Sequence, residues 1–194
     1  MNLNVSFGSR RRRLAGAIVS AWVLLALALA GCLARAEIHP QAARLNRRAA
    51  TALAGGRLEP AAKALAVALE YNPCYAAALH NLALVAYCRG QLDAAARLER
   101  EALACRPDLV QAVNGLGAIA LRQGRLQAAA AWFESALVLD PGYLEARRNL
   151  IRTARLLGEN DLAAEEQARL RALTAARKAP ARPSGGRRRA GGGK

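Results

Sequence analysis

Four glycines stand 34 residues apart: Gly56, Gly90, Gly124 and Gly158. Pro73, Pro107 and Pro141 keep the same step, as do Ala61, Ala95, Ala129 and Ala163, and also Ala68, Ala102 and Ala136. A fixed period of this length marks a repeat architecture, in which one unit cannot bury its own apolar face and stacking neighbours does so. The alanine columns alone would prove little, because Ala supplies 48 of the 194 residues. Gly and Pro in the same register decide the matter. Between them run Ala-, Leu- and Arg-rich stretches that favour helix. Glycine readily takes the left-handed conformation that ends a helix, and proline cannot continue one. Each period therefore reads as two helices, the first closing near Gly and the second before Pro.

This pattern resembles the tetratricopeptide repeat, with its Leu-Gly pair, its small and aromatic residues and its closing Pro. The best copy, residues 110–143, has Leu116, Gly117, Gly124, Ala129, Phe133, Ala136 and Pro141. Residues 76–109 follow closely, with Leu82, Ala83, Gly90, Ala95, Ala102 and Pro107. Residues 42–75 are weaker, because Arg48 falls where Leu is expected. Residues 144–173 keep Leu150, Gly158 and Ala163 but lose the proline. The resemblance implies an all-α fold: a right-handed superhelical array of antiparallel helix pairs, a solenoid of three to four repeats over residues 42–173. Two departures predict thin packing and moderate stability. Ala52, Ala86, Ala120 and Ala154 stand where the family has an aromatic residue, and Leu45, Leu79 and Val113 where Trp is common. Arg147 and Gln167 replace apolar residues in the last copy, which is expected to be its solvating cap.

Ahead of the repeats, Arg10 to Arg13 precede 21 uncharged residues, Leu14 to Ala34. A basic segment followed by an apolar one is the export pattern. It contains Leu29-Ala30-Gly31-Cys32, which resembles the lipobox of bacterial lipoproteins. That resemblance implies cleavage after residue 31, lipidation of Cys32 and a linker to residue 41. Leu33 in place of Asp favours the outer membrane in diderm lipoproteins. An uncleaved membrane helix is the alternative, since about 20 apolar residues span a bilayer. Either way the repeats are expected outside the cytoplasm, lipid-anchored and facing the periplasm or carried by a single inner-membrane span.

The net charge of +15 suggests a polyanion-binding protein until it is located. Residues 33–176 carry 18 Lys/Arg against 14 Asp/Glu, so the excess sits at the two ends. Residues 177–194 hold seven positive charges and no acid, within a tail expected to be disordered from residue 174. Such a tail suits anionic lipid, cell-wall polymer or an acidic protein, or serves only solubility. It lacks aromatic residues to stack on bases, and a nucleic-acid reading needs a cytoplasmic chain, which the N-terminus opposes. No nucleic-acid partner is expected.

In the family resembled, the first helix of each pair lines a concave groove. By register this implies a partner-binding surface of Asn46 from the first copy, His80, Leu84 and Tyr87 from the second, and Asn114, Leu121 and Arg122 from the third. The last copy adds Arg148, Arg152 and Arg155, whose spacing places them on one helical face. Guanidinium groups suit carboxylates, so the expected partner is a protein offering an acidic or extended segment, its apolar side chain taken by Leu84, Tyr87 and Leu121. The Lys/Asn carboxylate clamp of chaperone-binding relatives is not reproduced by His80 and Asn81.

No catalytic residue, metal, cofactor or small-molecule substrate is expected. The chain has two histidines, His39 and His80, neither in a recognisable nucleophile arrangement, and its cysteines lack metal-ligand spacing. Cys74 and Cys105 fall at the same end of adjacent repeats and Cys88 near the opposite end. A Cys74–Cys105 disulfide and three buried free thiols both remain open. The whole reads as a membrane-tethered binding scaffold of the cell envelope. Repeat lipoproteins of this kind resemble families that assist pilus or secretion-system assembly, and others that tether cell-wall enzymes.

Overall fold

The computed structural model describes residues 38–178. The signal segment, Cys32 and the tail from residue 179 lie outside the described residues. Among the described residues eight helices follow one another: α1 Pro40–Ala54, α2 Leu58–Tyr71, α3 Ala76–Cys88, α4 Leu92–Cys105, α5 Val110–Arg122, α6 Leu126–Leu139, α7 Leu144–Leu157 and α8 Asn160–Lys178. Each packs on the next, and among the described residues the odd-numbered helices also touch one another from repeat to repeat. The even-numbered ones do not. The first helices of the pairs therefore line the inner face of the stack and the second helices its outer face.

The punctuation acts as the sequence predicts. Gly56, Gly90, Gly124 and Gly158 have φ between 70° and 81°. Each follows an odd-numbered helix with the same pair of closing bonds, as where Gly124 N–H donates to Leu121 O (3.0 Å) and Arg125 N–H to Ala120 O (2.9 Å). This is the Schellman closure, which needs a left-handed residue. The even helices end differently. Asn72, Arg106 and Asp140 take extended backbone, with φ of −147°, −145° and −140°. Each precedes a proline, whose ring disfavours helix in the residue before it. Where the fourth proline is missing, α8 continues for 19 residues to Lys178, past the repeat end expected at residue 173.

The core is built largely of methyl groups. Ala61, Ala95, Ala129, Ala68, Ala102 and Ala136 are fully buried, and Ala52, Ala86, Ala120 and Ala154 are nearly so. Small residues thus fill the columns where the family has aromatic ones. Phe133 is the largest fully buried side chain, and Gly117 makes room for it. A Cβ at Gly117 would lie 2.5 Å from Phe133 Cε1.

One expectation is corrected and one open alternative is decided. Arg147 does not help solvate the end of the array: it is 6% exposed and paired with Glu166, 3% exposed, between α7 and α8. Its Nη2 donates to Pro141 O at 2.7 Å. A charged pair here takes the place of the apolar contacts made by Leu79 and Val113 in earlier copies. Gln167, half-buried, accepts from Arg155 Nη2 at 3.4 Å. The cysteines are not three buried thiols. Cys74 and Cys105 form a disulfide, Cα to Cα 5.4 Å, joining the loop after α2 to the end of α4, and Cys88 is exposed and free.

Candidate partner-binding groove

The residues expected to share a groove do not all meet. His80, Leu84 and Tyr87 of α3 and Asn114 of α5 line one cleft of about 210 Å³. They meet because positions 80, 84 and 87 follow one another at helical spacing on α3, and α5 repeats that face one period later. Ala118 and Ile119 continue the wall, and Tyr143, at the start of α7, closes one side.

Arg122 stands beside this cleft. Its guanidinium lies 4.8 Å from the Tyr87 ring centroid, and its Nη1 donates to Tyr87 O at 2.6 Å. That cation–π and hydrogen-bond pairing spends one fork of Arg122 inside the protein. Leu121 points elsewhere: it packs on the core formed by Ala120, Ala129, Phe133 and Leu150. It therefore supports the groove wall and does not line the cleft.

Asn46 belongs to the first repeat. It accepts from Asn81 Nδ2 at 2.7 Å and its Nδ2 donates to Tyr75 Oη at 3.3 Å. Asn149 Nδ2 donates to Asn114 Oδ1 at 3.0 Å in the same relative register, 35 residues apart in both cases. Paired amides thus mark the inner face at either end. Arg148, Arg152 and Arg155 are all exposed on α7. Arg148 Nη1 lies 3.8 Å from Glu145 and Arg155 reaches Gln167, so both have weak local partners.

At the middle interface the amide pair gives way to something else. His80 Nδ1 lies 3.0 Å from both Oε1 and Oε2 of Glu99, which is 1% exposed. An ionised carboxylate only accepts, so one N–H is shared by two oxygens. Burial pushes the Glu99 carboxyl above its usual 4.5, and the bond and charge of His80 pull the other way. The phenol of Tyr143 is also raised, first by burial and then by the carboxylates of Glu145, Asp140 and Glu99. A buried carboxylate paired with His80 thus borders the cleft.

Glu99 and Tyr143 escaped the register argument, which looked only along the first helices. A signal was present. Glu99 occupies the column of Leu65 and Phe133, both fully buried, and it alone of these three is charged.

The sequence matches no protein-family model and no curated protein. Solved structures match the fold. MamA superposes with a TM-score of 0.61 at 17% identity, over 90% of this chain and 98% of that one. The Sgt2 TPR domain from Aspergillus fumigatus gives 0.58 at 23%, over 65% and 85%. The first TPR of Spaghetti (RPAP3), bound to the HSP90 peptide SRMEEVD, gives 0.57 at 19%, over 61% and 96%. A mutant Thermobaculum terrenum O-GlcNAc transferase gives 0.57 at 26%, but the match spans only 22% of that chain. The fold is an all-α tetratricopeptide-repeat solenoid.

Proposed function

We propose that this chain is a non-catalytic scaffold that binds an extended protein segment along its inner face, held to a membrane through lipid on Cys32. The observation that carries the reading is the cleft between α3 and α5, where His80, Leu84, Tyr87 and Asn114 converge on the face lined by first helices. One similar structure, the first TPR of Spaghetti (RPAP3), holds a peptide. By analogy the inner face here takes a segment whose acidic residues meet Arg148, Arg152 and Arg155 while other side chains enter the cleft. The Cys74–Cys105 disulfide supports a site outside the cytoplasm, because disulfides persist in oxidising compartments. Lipidation follows from the Leu29-Ala30-Gly31-Cys32 resemblance. Assembly of a pilus or secretion system is the leading role by analogy with repeat lipoproteins.

The test is partner capture from solubilised envelopes with the wild-type chain and with Leu84→Asp. Partners lost in the variant support groove binding, and partners unaffected by it contradict the reading. Labelled palmitate tests the anchor: incorporation is expected in the wild type, and incorporation that survives Cys32→Ala refutes it. The basic tail supplies a second reading, an adaptor that tethers cell-wall enzymes or holds anionic lipid or polymer. Capture abolished by deleting residues 179–194, with Leu84→Asp harmless, would favour it.

A further inference from the structure

Two costly choices meet at one point of the fold. Glu99 places a carboxylate at 1% exposure in a column where Leu65 and Phe133 fill the core. Gly115 puts glycine inside helix α5, which destabilises a helix relative to alanine. The two are linked, because a Cβ at position 115 would overlap Oε1 and Cδ of Glu99. Neither choice improves packing. Together they bring a carboxylate to the floor of an open cleft.

Among the described residues that carboxylate has His80 as its hydrogen-bond partner. Its two oxygens share the single Nδ1–H of His80, whereas an ionised carboxylate has about four acceptor sites. Leu84, Tyr87, Ile119 and Tyr143 supply most of the wall around about 210 Å³, with the amides of Gln111 and Asn114 beside them. An apolar wall over a buried anion suits a side chain with an aliphatic stem and a cationic tip. His80 Nδ1 straddles both oxygens, which blocks the two-oxygen face that an arginine fork needs. A compact point charge with rotatable donors suits the remaining acceptor sites better.

We propose that the cleft between α3 and α5 is a pocket for one lysine side chain of the partner segment, its ammonium bound by Glu99 and its stem packed against Tyr87 and Tyr143. This rests on the reading of the inner face as a binding groove and adds the chemistry of one position in the ligand. Together with the exposed arginines of α7, it describes a partner segment in which a lysine lies apart from an acidic stretch.

The probe is Nα-acetyl-lysine methylamide, titrated into the full-length chain while the His80 imidazole is followed by NMR. Only two histidines are present, so His39 serves as an internal control. A saturable shift of His80 is expected. The norleucine and Nε-acetyl-lysine analogues should bind at least about tenfold more weakly, roughly 1.4 kcal/mol. Glu99→Gln should abolish the preference. Glu99→Leu, which copies Leu65, should do the same while keeping full helicity, so loss of binding is not loss of fold. Equal binding of norleucine, or no saturable shift with lysine, overturns the proposal. So does a preference for lysine that survives Glu99→Leu. Envelope partners that are lost with Leu84→Asp but kept with Glu99→Leu would sink the lysine pocket and leave groove binding standing.

Discussion

Gly115 of α5 leaves the space that the Glu99 carboxylate of α4 occupies. Any side chain at 115 would meet Oε1 and Cδ of Glu99, so the two positions are coupled. Gly115→Ala should therefore destabilise the chain by about 1–3 kcal/mol, the usual penalty of overpacking, although alanine is the better helix former. Gly115→Ala combined with Glu99→Ala should recover much of that loss. Urea unfolding of the two singles and the double gives the coupling energy, and simple additivity would contradict the relationship.

Glu99→Leu should leave the fold intact and raise its stability. Replacing a buried ion pair by apolar residues of similar size is often neutral to stabilising by about 1–4 kcal/mol, and removing one member is costly only where the other is left buried and unpaired. His80, which is partly exposed, can turn its ring nitrogen to water. A thermal midpoint below that of wild type would show that the carboxylate supports the core and does not tax it.

The same carboxylate predicts a pH dependence. Burial raises the folded Glu99 pKa above 4.5, so over that interval the folded state binds more protons than the unfolded chain. Stability from this group is then greatest at acid pH and falls as pH rises through the interval. Relative to Glu99→Gln, wild type should gain stability as pH is lowered from neutral towards 4.5. His80 and Tyr143 face the group, and repeating the comparison in a His80→Asn background separates the carboxylate from the imidazole. A difference between the two proteins that stays flat with pH, or runs the other way, contradicts the burial argument.

The disulfide should matter more than its surface position suggests. Cys74 and Cys105 are 31 residues apart and tie the end of the first repeat to the end of the second. Closing a loop of that length typically contributes about 2–4 kcal/mol. Cys74→Ser, or reduction of the wild type, should lower stability by that order. Cys88→Ser should change it little, since Cys88 is exposed and free. Equal effects of the two substitutions would contradict this assignment.

Arg148→Ala, Arg152→Ala and Arg155→Ala together should weaken binding of an acidic partner segment with little loss of stability, because all three are exposed. The binding loss should shrink as salt is raised, since exposed charges are screened. An unchanged affinity at low salt would remove the arginines from the groove.

Most of the architecture was legible because it rests on punctuation. Gly at the end of first helices and Pro after second helices each impose one backbone conformation, and both recur at a fixed step. The closures at Gly124 and the extended residue before Pro141 follow from those residue types alone. Side-chain partners were less legible. Leu121 has the same period as Tyr87, yet one packs inward and the other lines the cleft, because neighbouring helices decide which flank of a face is covered. Arg147 read as a solvated end residue until its partner Glu166, on the following helix, was placed beside it. Glu99 was visible as a charge in an apolar column, but only the stacking of α4 on α5 shows that its carboxylate reaches the cleft through Gly115.

The central claim is that partners bind on the inner face. A photo-crosslinking residue placed at Leu84, on the cleft, and in a second protein at Val138, exposed on the outer helix α6, tests it in living cells. The account predicts that a defined partner crosslinks from position 84 and not from position 138, and that Tyr87→Asp removes the product. The same partner crosslinking from 138 alone, or from 84 regardless of Tyr87, would contradict it.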